Sequence, residues 1–545
     1  MRTRERRGLW IDVSVLVVAE LLTSVLTGEA SAQVAGAAGF QVPRRVGTPV
    51  LRAPGERAAF DAQRLRLPDA GPVAKPFLPT VDFDEYRALK AQAAAAARAP
   101  ARRRMAPAAP AAPPSQGSAS CNGIGQGVAG GLFPPDTHGA VGASHFVHIV
   151  NSAVQVYTKA LSGSCPSSAP TTATLAAFFG YSAEILFDPR VVYDMTYDRW
   201  IVSATAFTQT DDQQFQFVAV SETSDPAGAY FIYSFEQSES NGGLFWDFPQ
   251  LGYDEEAIIV TGNLFNGNTY TDSQAVFLPK ARMYQGLAFS FCSFTLGAEG
   301  TVAPPIVLDQ SPVTVLATSR VNANRIRLTK FTGTSRVCPT FVETVDLTPT
   351  EALSVPADAP QPGTAQVLDT GDGRFVNAST QFGEPPFGDT IRLWQTSTLG
   401  TGSATPRFYQ INADVGTSAI ESECSYFASA TSHDFNASIA ANLSGSAFIT
   451  YSSTDPANSI NPQVRFTGKT LADACSTLGA PGGVANKTSP NPLTGNFDPT
   501  FGTQRWGDYS AVTIDPSMPT RAWAVNEWAK SSAKWKSRFF NMDNP

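Results

Sequence analysis

Histidine is scarce in this chain, and the motifs that would make it catalytic are missing. Only four occur in 545 residues, at 138, 145, 148 and 433. A Ser-His-Asp triad would have to use one of these four, and no Gly-x-Ser-x-Gly elbow is present. His-Glu-x-x-His, a phosphate-cradling Gly-rich loop and a haem-attachment motif are also absent. His145 and His148 stand three apart, so on a strand they point to opposite faces, a poor geometry for sharing a metal ion. No Cys-x-x-Cys pair occurs, which excludes zinc-ribbon and thioredoxin-type readings. Beyond the first 32 residues no apolar run is long enough to span a bilayer.

Two parts of different character remain. Residues 1–32 read as an export signal. Arg2, Arg4, Arg6 and Arg7 precede a mostly apolar Leu9 to Leu26, and Ala30-Ser31-Ala32 offers a cleavage site. Asp12 and Glu20 interrupt the apolar run and argue against a retained anchor; Arg6-Arg7 is a weak twin-arginine hint. Residues 33–118, rich in Ala, Pro and Arg, read as a flexible leader or pro-segment that buries too little apolar surface to fold alone. One helix is expected there, from Asp84 through Arg98, with Pro100 as its stop. Residues 119–545 form the folded domain.

Charge divides along the same boundary. Residues 1–115 carry 17 Lys and Arg against 10 Asp and Glu, a net of +7; the remainder carries 22 against 37, a net of −15. An acidic body argues against nucleic acid or anionic lipid as a partner. It suits cations, neutral glycans or simple solubility.

The six cysteines, at 121, 165, 292, 338, 424 and 475, all lie in the acidic body. An even count in an exported chain suggests disulfides. Their spacing favours Cys121–Cys165, Cys292–Cys338 and Cys424–Cys475, each closing a loop of about one repeat unit.

That unit recurs as an acidic residue, a short apolar run, a turn and a second apolar run. It is seen at Asp136-Thr137-His138-Gly139-Ala140-Val141, at Asp188-Pro189-Arg190-Val191-Val192-Tyr193 and at Trp246-Asp247-Phe248-Pro249-Gln250. His433-Asp434-Phe435-Asn436 and Trp506-Gly507-Asp508-Tyr509 continue it, with further markers near 313 and 372. Helical periodicity is nearly absent, and strand signals come about four to a unit, such as Arg190 to Tyr193 with Arg199 to Thr205. Radial repetition of small antiparallel sheets produces this pattern and removes exposed edges. The expected class is all-β, a β-propeller of seven blades, with six blades or a solenoid as the alternatives.

In a propeller the first strand of each blade surrounds a central channel. On this alignment Asp136, Asp188, Asp247, Asp434 and Asp508 open successive inner strands. Carboxylates converging on one mouth repel unless a cation, an arginine or water compensates. Calcium is one such cation, although no intact calcium loop is present and Asp369-Thr370-Gly371-Asp372-Gly373 is only a distant echo. The structural alternative is that each Asp accepts backbone N–H bonds in a turn. Trp246 and Trp506 stand at equivalent positions just ahead of an Asp. That placement favours packing between blades; exposed, they would stack on sugar rings, so they join the ligand-binding candidates. Glycoside hydrolysis would draw on Asp136, Asp247 and Glu527 as acids, Tyr193 or Tyr509 as nucleophile, and Arg190 and Arg374 to hold an anionic substrate.

The segment Pro134-Pro135-Asp136-Thr137-x-Gly139-Ala140-Val141-Gly142 resembles the opening of a group of secreted bacterial β-propeller proteins of the sialidase-like superfamily. Asp188-Pro189-Arg190 ahead of Arg199-Trp200, Thr223-Ser224-Asp225-Pro226-x-Gly228 and Arg505-Trp506-Gly507-Asp508-Tyr509 are similar to the same group. The resemblance implies a propeller and export. The sialidase Asp-box is not intact, since Ser224-Asp225-Pro226-Ala227-Gly228 places its glycine one residue late. The leading expectation is therefore a secreted or periplasmic, monomeric binding module for a glycan, peptide or cell-surface partner. A sialidase-like hydrolase and a calcium-stabilised adhesion protein are the alternatives.

Overall fold

The computed structural model describes residues 44–47, 50–51, 73–75, 77–98, 114–159, 165, 171–207, 214–237, 243–321, 323–383, 390–478 and 482–544. The export signal expected over 1–32 lies outside them. Among the described residues no helix is long and apolar enough to cross a membrane.

Four-stranded antiparallel ladders follow one another along the chain. One runs through His138–Val141, His145–Val150, Ala153–Thr158 and Thr171–Thr174. Another takes Leu186–Asp194, Arg199–Phe207, Gln214–Ser221 and Tyr230–Glu236, with Tyr193 opposite Trp200 as the hairpin reading required. The ladder Phe245–Tyr253, Ala257–Asn266, Thr269–Pro279 and Phe291–Thr295 is joined to Ser379–Phe382, Arg392–Thr401, Ser403–Asn412 and Ala419–Ser425 by the short strand Pro305–Val307, which pairs in parallel with both. Between them in sequence lie Val302–Ala303, Thr314–Arg320, Arg325–Thr332 and Thr340–Leu347. His433–Ala441, Ala447–Asp455, Ile460–Lys469 and Val484–Thr488 come next. The last ladder combines Ala511–Ile514, Arg521–Ser531 and Lys534–Asp543 with Ser115–Gly125, a strand from the other end of the chain.

That final pairing closes a ring. Buried apolar side chains fill the gap between each ladder and the next. Val191, Trp200 and Phe217 meet Val147, Val156 and Phe178 in one cluster, and Phe277 and Phe294 meet Phe331 in another. Val141, Phe146 and Tyr157 of the first ladder meet Trp523, Val525 and Phe539 of the last. First strands of six ladders, together with the joining strand Pro305–Val307, line one channel, through Val141, Val192, Tyr253, Ile306, Thr380, Ile439 and Val512. Radial ladders, stacked face to face around a channel and closed by a terminal strand, make a β-propeller.

Stacking on both faces explains why the strands are apolar runs rather than alternating ones. Ala257–Asn266 is buried at every position but its last. It also explains Gly262. A Cβ there would stand 2.4 Å from the Trp246 ring, so only glycine lets the indole lie flat on the strand.

Three sequence expectations shift. The propeller's own strands begin at Ser115 rather than 119, because the closing strand needs the extra residues to match Lys534–Asp543. The leader ahead of it is docked rather than free, with Arg44–Gly47 paired to Phe291–Thr295 and Val50–Leu51 to Tyr230–Glu236. The strand expected over Phe375 to Ala378 is instead Ser379–Phe382, paired Thr380 to Trp394. The first strand of the unit marked near 313 is Val302–Ala303, with Thr314–Arg320 one place further out. The pairs Cys121–Cys165, Cys292–Cys338 and Cys424–Cys475 are bonded as their spacing favoured.

Candidate functional site: an aspartate ring at the channel mouth

Several inner strands enter the channel through the same irregularity. Register shifts occur between Phe187 and Arg190, between Asp247 and Gln250, and between Phe435 and Ser438. The residues at the turn of the bulge have positive φ: Asp188 at 50°, Phe248 at 55° and Asn436 at 50°, matched by Asp136 at 47° just ahead of its strand. Such bulges bend a strand end and re-aim its side chains, and here they tip carboxylates toward the axis.

Four of those carboxylates meet around one ammonium group. Lys75 Nζ donates to Asp188 Oδ1 and lies 3.7 Å from Asp136 Oδ2, 3.7 Å from Asp508 Oδ2 and 4.0 Å from Asp247 Oδ1. The four acids come from four ladders; the lysine comes from the leader. All five side chains are buried.

The leader is held there by its backbone and its neighbours. Val73–Ala74 pairs in parallel with Leu132–Phe133, and Lys75 N–H donates to Phe133 O at 2.8 Å. Arg505 Nε donates to Lys75 O at 3.4 Å, and Arg374 Nη2 to Leu78 O at 2.7 Å. Phe77 lies under both guanidinium groups, 5.0 Å from Arg374 and 5.3 Å from Arg505. Thr80 donates twice to Asp372 Oδ2, at 2.9 Å each. Then comes the helix Phe83–Arg98, one residue longer than expected, with Asp82 accepting the N–H groups of Asp84 and Glu85 at its start. Its Tyr86 packs edge-on against Phe501, and Lys90 bonds Asp358 at 2.6 Å.

Burial dominates the electrostatics. Asp136, bonded by Asn151 Nδ2 at 2.6 Å and Asp508 N–H at 2.8 Å, is pushed up to about 8 by burial and then by the Asp508 charge. Asp247 rises to about 6, also by burial, with Lys75 pulling the other way. Glu527, which accepts Gly507 N–H at 2.6 Å, is held well above the usual carboxylate range by burial. Burial opposes the charge on Lys75, but the four aspartates outweigh it and raise its pKa above the ordinary lysine value. The mouth thus sheds part of its negative charge by keeping protons and cancels part with one lysine and the arginines. The guanidiniums are largely spoken for. Arg374 bonds Asp372, and Arg505 bonds Asp369 at 2.5 Å and Asp508 through both carboxylate oxygens at 2.9 Å.

No protein-family model and no curated protein matches the chain. Among solved structures, it is similar to an exo-β-1,3-galactanase from Phanerochaete chrysosporium at 12% identity and a TM-score of 0.28, covering 58% of this chain and 75% of that one. It is similar to the Trypanosoma rangeli sialidase at 9% identity and 0.31, covering 66% and 55%. The Dos1 propeller gives 6% identity and 0.34, covering 72% and 75%. At these scores no role is transferred to any residue of this chain.

The structure brings together Asp136, Asp188, Asp247, Asp508, Arg190, Arg374, Tyr509 and Glu527 at one end of the channel. Arg190 lies over the Tyr509 ring at 3.4 Å and donates to Asn377 Oδ1 at 2.8 Å. Tyr193 does not belong. It sits five residues beyond Asp188 on the same strand, about 15 Å along at strand rise, where its hydroxyl donates to Asp198 at 2.7 Å. Asp434 does not belong either. It accepts from Ser432 Oγ at 2.6 Å and Ala428 N–H at 3.3 Å, and the bulge places Asn436, not Asp434, at the aspartate position. Trp246 and Trp506 pack between ladders. Both are buried, with their indole N–H groups on Gln216 Oε1 and Ser452 Oγ at 3.0 Å. His148 is buried and held down to about 3, so it serves as a core side chain. Among the described residues no group of three or more His, Cys, Asp or Glu is arranged to hold a metal ion.

Sequence reasoning missed Lys75, Arg505, Phe77 and Thr80. The available signal was the demand itself, since converging aspartates require a cation. Nothing local to Lys75 marks it as that cation.

Proposed function

We propose that the protein is an exported, seven-bladed β-propeller that acts as a monomeric binding module, with the aspartate-lined channel mouth as its recognition site. One observation carries this reading. Four acids from four separate ladders converge on a single cationic group that another segment delivers to them. A scaffold that only needed stability would avoid this, because burying ions costs several kcal/mol each and apolar packing does as well or better. Three disulfides and the leader's signal-like start support export.

The hydrolase alternative gains one specific support: Arg190, Arg374 and the acids Asp136, Asp247 and Glu527 share one end of the channel, as it requires. Two observations weigh against it. Arg374 and Arg505 are bonded to Asp372, Asp369 and Asp508, so an anionic sugar would meet carboxylates before it met open guanidiniums. Tyr509 is raised well above the ordinary phenol value by burial, which makes it a weak nucleophile.

The test is a glycan and peptide array probed with the full-length protein carrying Lys75→Ala, which frees the aspartate ring, with turnover assayed on every ligand that binds. Binding without turnover is expected. Release of a sugar from any bound glycan would replace the binding reading with the hydrolase.

A further inference from the structure

The leader shows what the mouth is shaped to hold. Residues 73–75 and 77–80 run along it, held by their main chain and by two side chains. The main chain pairs with Leu132–Phe133 and gives its carbonyls at 75 and 78 to Arg505 and Arg374. The Lys75 side chain enters the aspartate ring and Phe77 fills the space beneath the two guanidiniums. Main-chain pairing for affinity, with pockets for alternate side chains for specificity, is how extended peptides are recognised at sheet edges.

The receiving groups belong to the propeller, not to the leader. Asp136, Asp188, Asp247 and Asp508 are set by the strand starts and bulges already described, and Arg374 and Arg505 by their own bonds to Asp372, Asp369 and Asp508. The receptor also has capacity the leader leaves unused. Asp188 Oδ2, Glu527 Oε1 and Arg374 Nη1 are buried without a hydrogen-bond partner. Each belongs to a side chain no more than 3% exposed.

We propose that the channel mouth is a receptor for extended peptides carrying a lysine two residues ahead of an aromatic side chain, and that the leader, through Lys75 and Phe77, is its built-in occupant. This rests on the binding-module reading and names its ligand class. The lysine supplies the charge the ring requires, the aromatic ring stacks under the arginine pair, and the leader blocks the site until it is displaced. A neutral or acidic glycan offers neither feature, an amino sugar offers the cation without the aromatic ring, and a metal ion would take the ring but leave the arginine–aromatic pocket unexplained.

The experiment uses the full-length chain with Lys75→Ala. Its melting temperature is expected to fall below that of the wild type and to recover saturably with n-butylammonium chloride. Sodium chloride of equal ionic strength should give no recovery, and the wild type no response. In parallel, a labelled peptide of sequence VAKPFLPT is titrated onto the full-length Lys75→Ala/Phe77→Ala protein. It should bind at least about tenfold more tightly than the same peptide with alanine for lysine, because a buried charge would otherwise lose its partner. No recovery with the amine, or equal binding of the two peptides, overturns the proposal. If the double variant does not fold, the amine response of the single variant decides alone. Recovery with calcium chloride but not with the amine overturns the peptide-lysine assignment and leaves the mouth standing as a binding site. Sugar release by the variants would instead sink the binding-module reading itself, so the two failures are distinguishable.

Discussion

Raising the pH from 6.5 to 8 should weaken the folded state, and the size of the effect follows from the aspartate ring. Asp136 faces Asp508, Asp188, Lys75 and Arg505, and burial lifts its pKa from 3.8 to about 8. In the unfolded chain it is already ionised at pH 6.5; in the folded chain it still holds its proton. A group shifted upward contributes stability that is complete at low pH and is lost as pH rises through the folded value. One pKa unit corresponds to about 1.4 kcal/mol, so Asp136 alone removes about 2 kcal/mol between pH 6.5 and 8. Glu527, also raised by burial, acts in the same direction. Lys75 is raised as well, but its contribution is complete at any pH below the ordinary lysine value and stays silent in this window. Between pH 5 and 6.5 Asp247, raised to about 6, also loses its proton and adds to the fall. Two histidines oppose it, so the curve should be shallower. There His138 and His148, both depressed by burial, cost stability as pH falls, because only the unfolded imidazoles take up protons. Urea unfolding at constant ionic strength, sampled from pH 5 to 8, measures the slope directly. Asp136→Asn should flatten the fall above pH 6.5. A stability that is level or rising from 6.5 to 8 in the wild type would refute the buried, proton-retaining Asp136.

Other consequences are testable in the same assay. Arg505→Met removes the partner of both Asp369 and Asp508, and stranding buried carboxylates should cost about 3–5 kcal/mol. Trp246→Ala empties the space over Gly262 and should cost about 3–5 kcal/mol; a value below 1 kcal/mol would mean the indole is not packed between ladders. Replacing Cys424 and Cys475 together with serine opens a loop with a sequence separation of 51 and should lower stability by up to about 4 kcal/mol. That loss should match the effect of selective reduction of the same bond.

The fold was more legible than the site, for a physical reason that particular residues make plain. Strand pairs such as Arg190–Tyr193 with Arg199–Thr205 are local, and turn chemistry together with apolar runs fixes them within a dozen residues. The neighbouring cysteine pairs are local in the same sense, each closing about one repeat. Ring closure is not: Ser115–Gly125 is chosen only because Lys534–Asp543 would otherwise leave an open edge. The aspartates fell between these cases. Repetition identified Asp136, Asp188, Asp247 and Asp508, but it misplaced Asp434, because a two-residue offset at a bulge is invisible when Asp and Asn both suit positive φ. Tyr193 was misplaced by the complementary error, since sharing a strand with Asp188 does not mean sharing an end of it. Lys75 lies beyond any such reading. Its partners are 61, 113, 172 and 433 residues away in sequence, as the numbers 136, 188, 247 and 508 show. Its own neighbours, alanine and proline, carry no pattern. What the sequence did contain was an imbalance, an acidic body of net −15 behind a basic leader of net +7. Of that leader charge the ring receives Lys75 alone, so the imbalance states a demand for cations without marking which residue meets it.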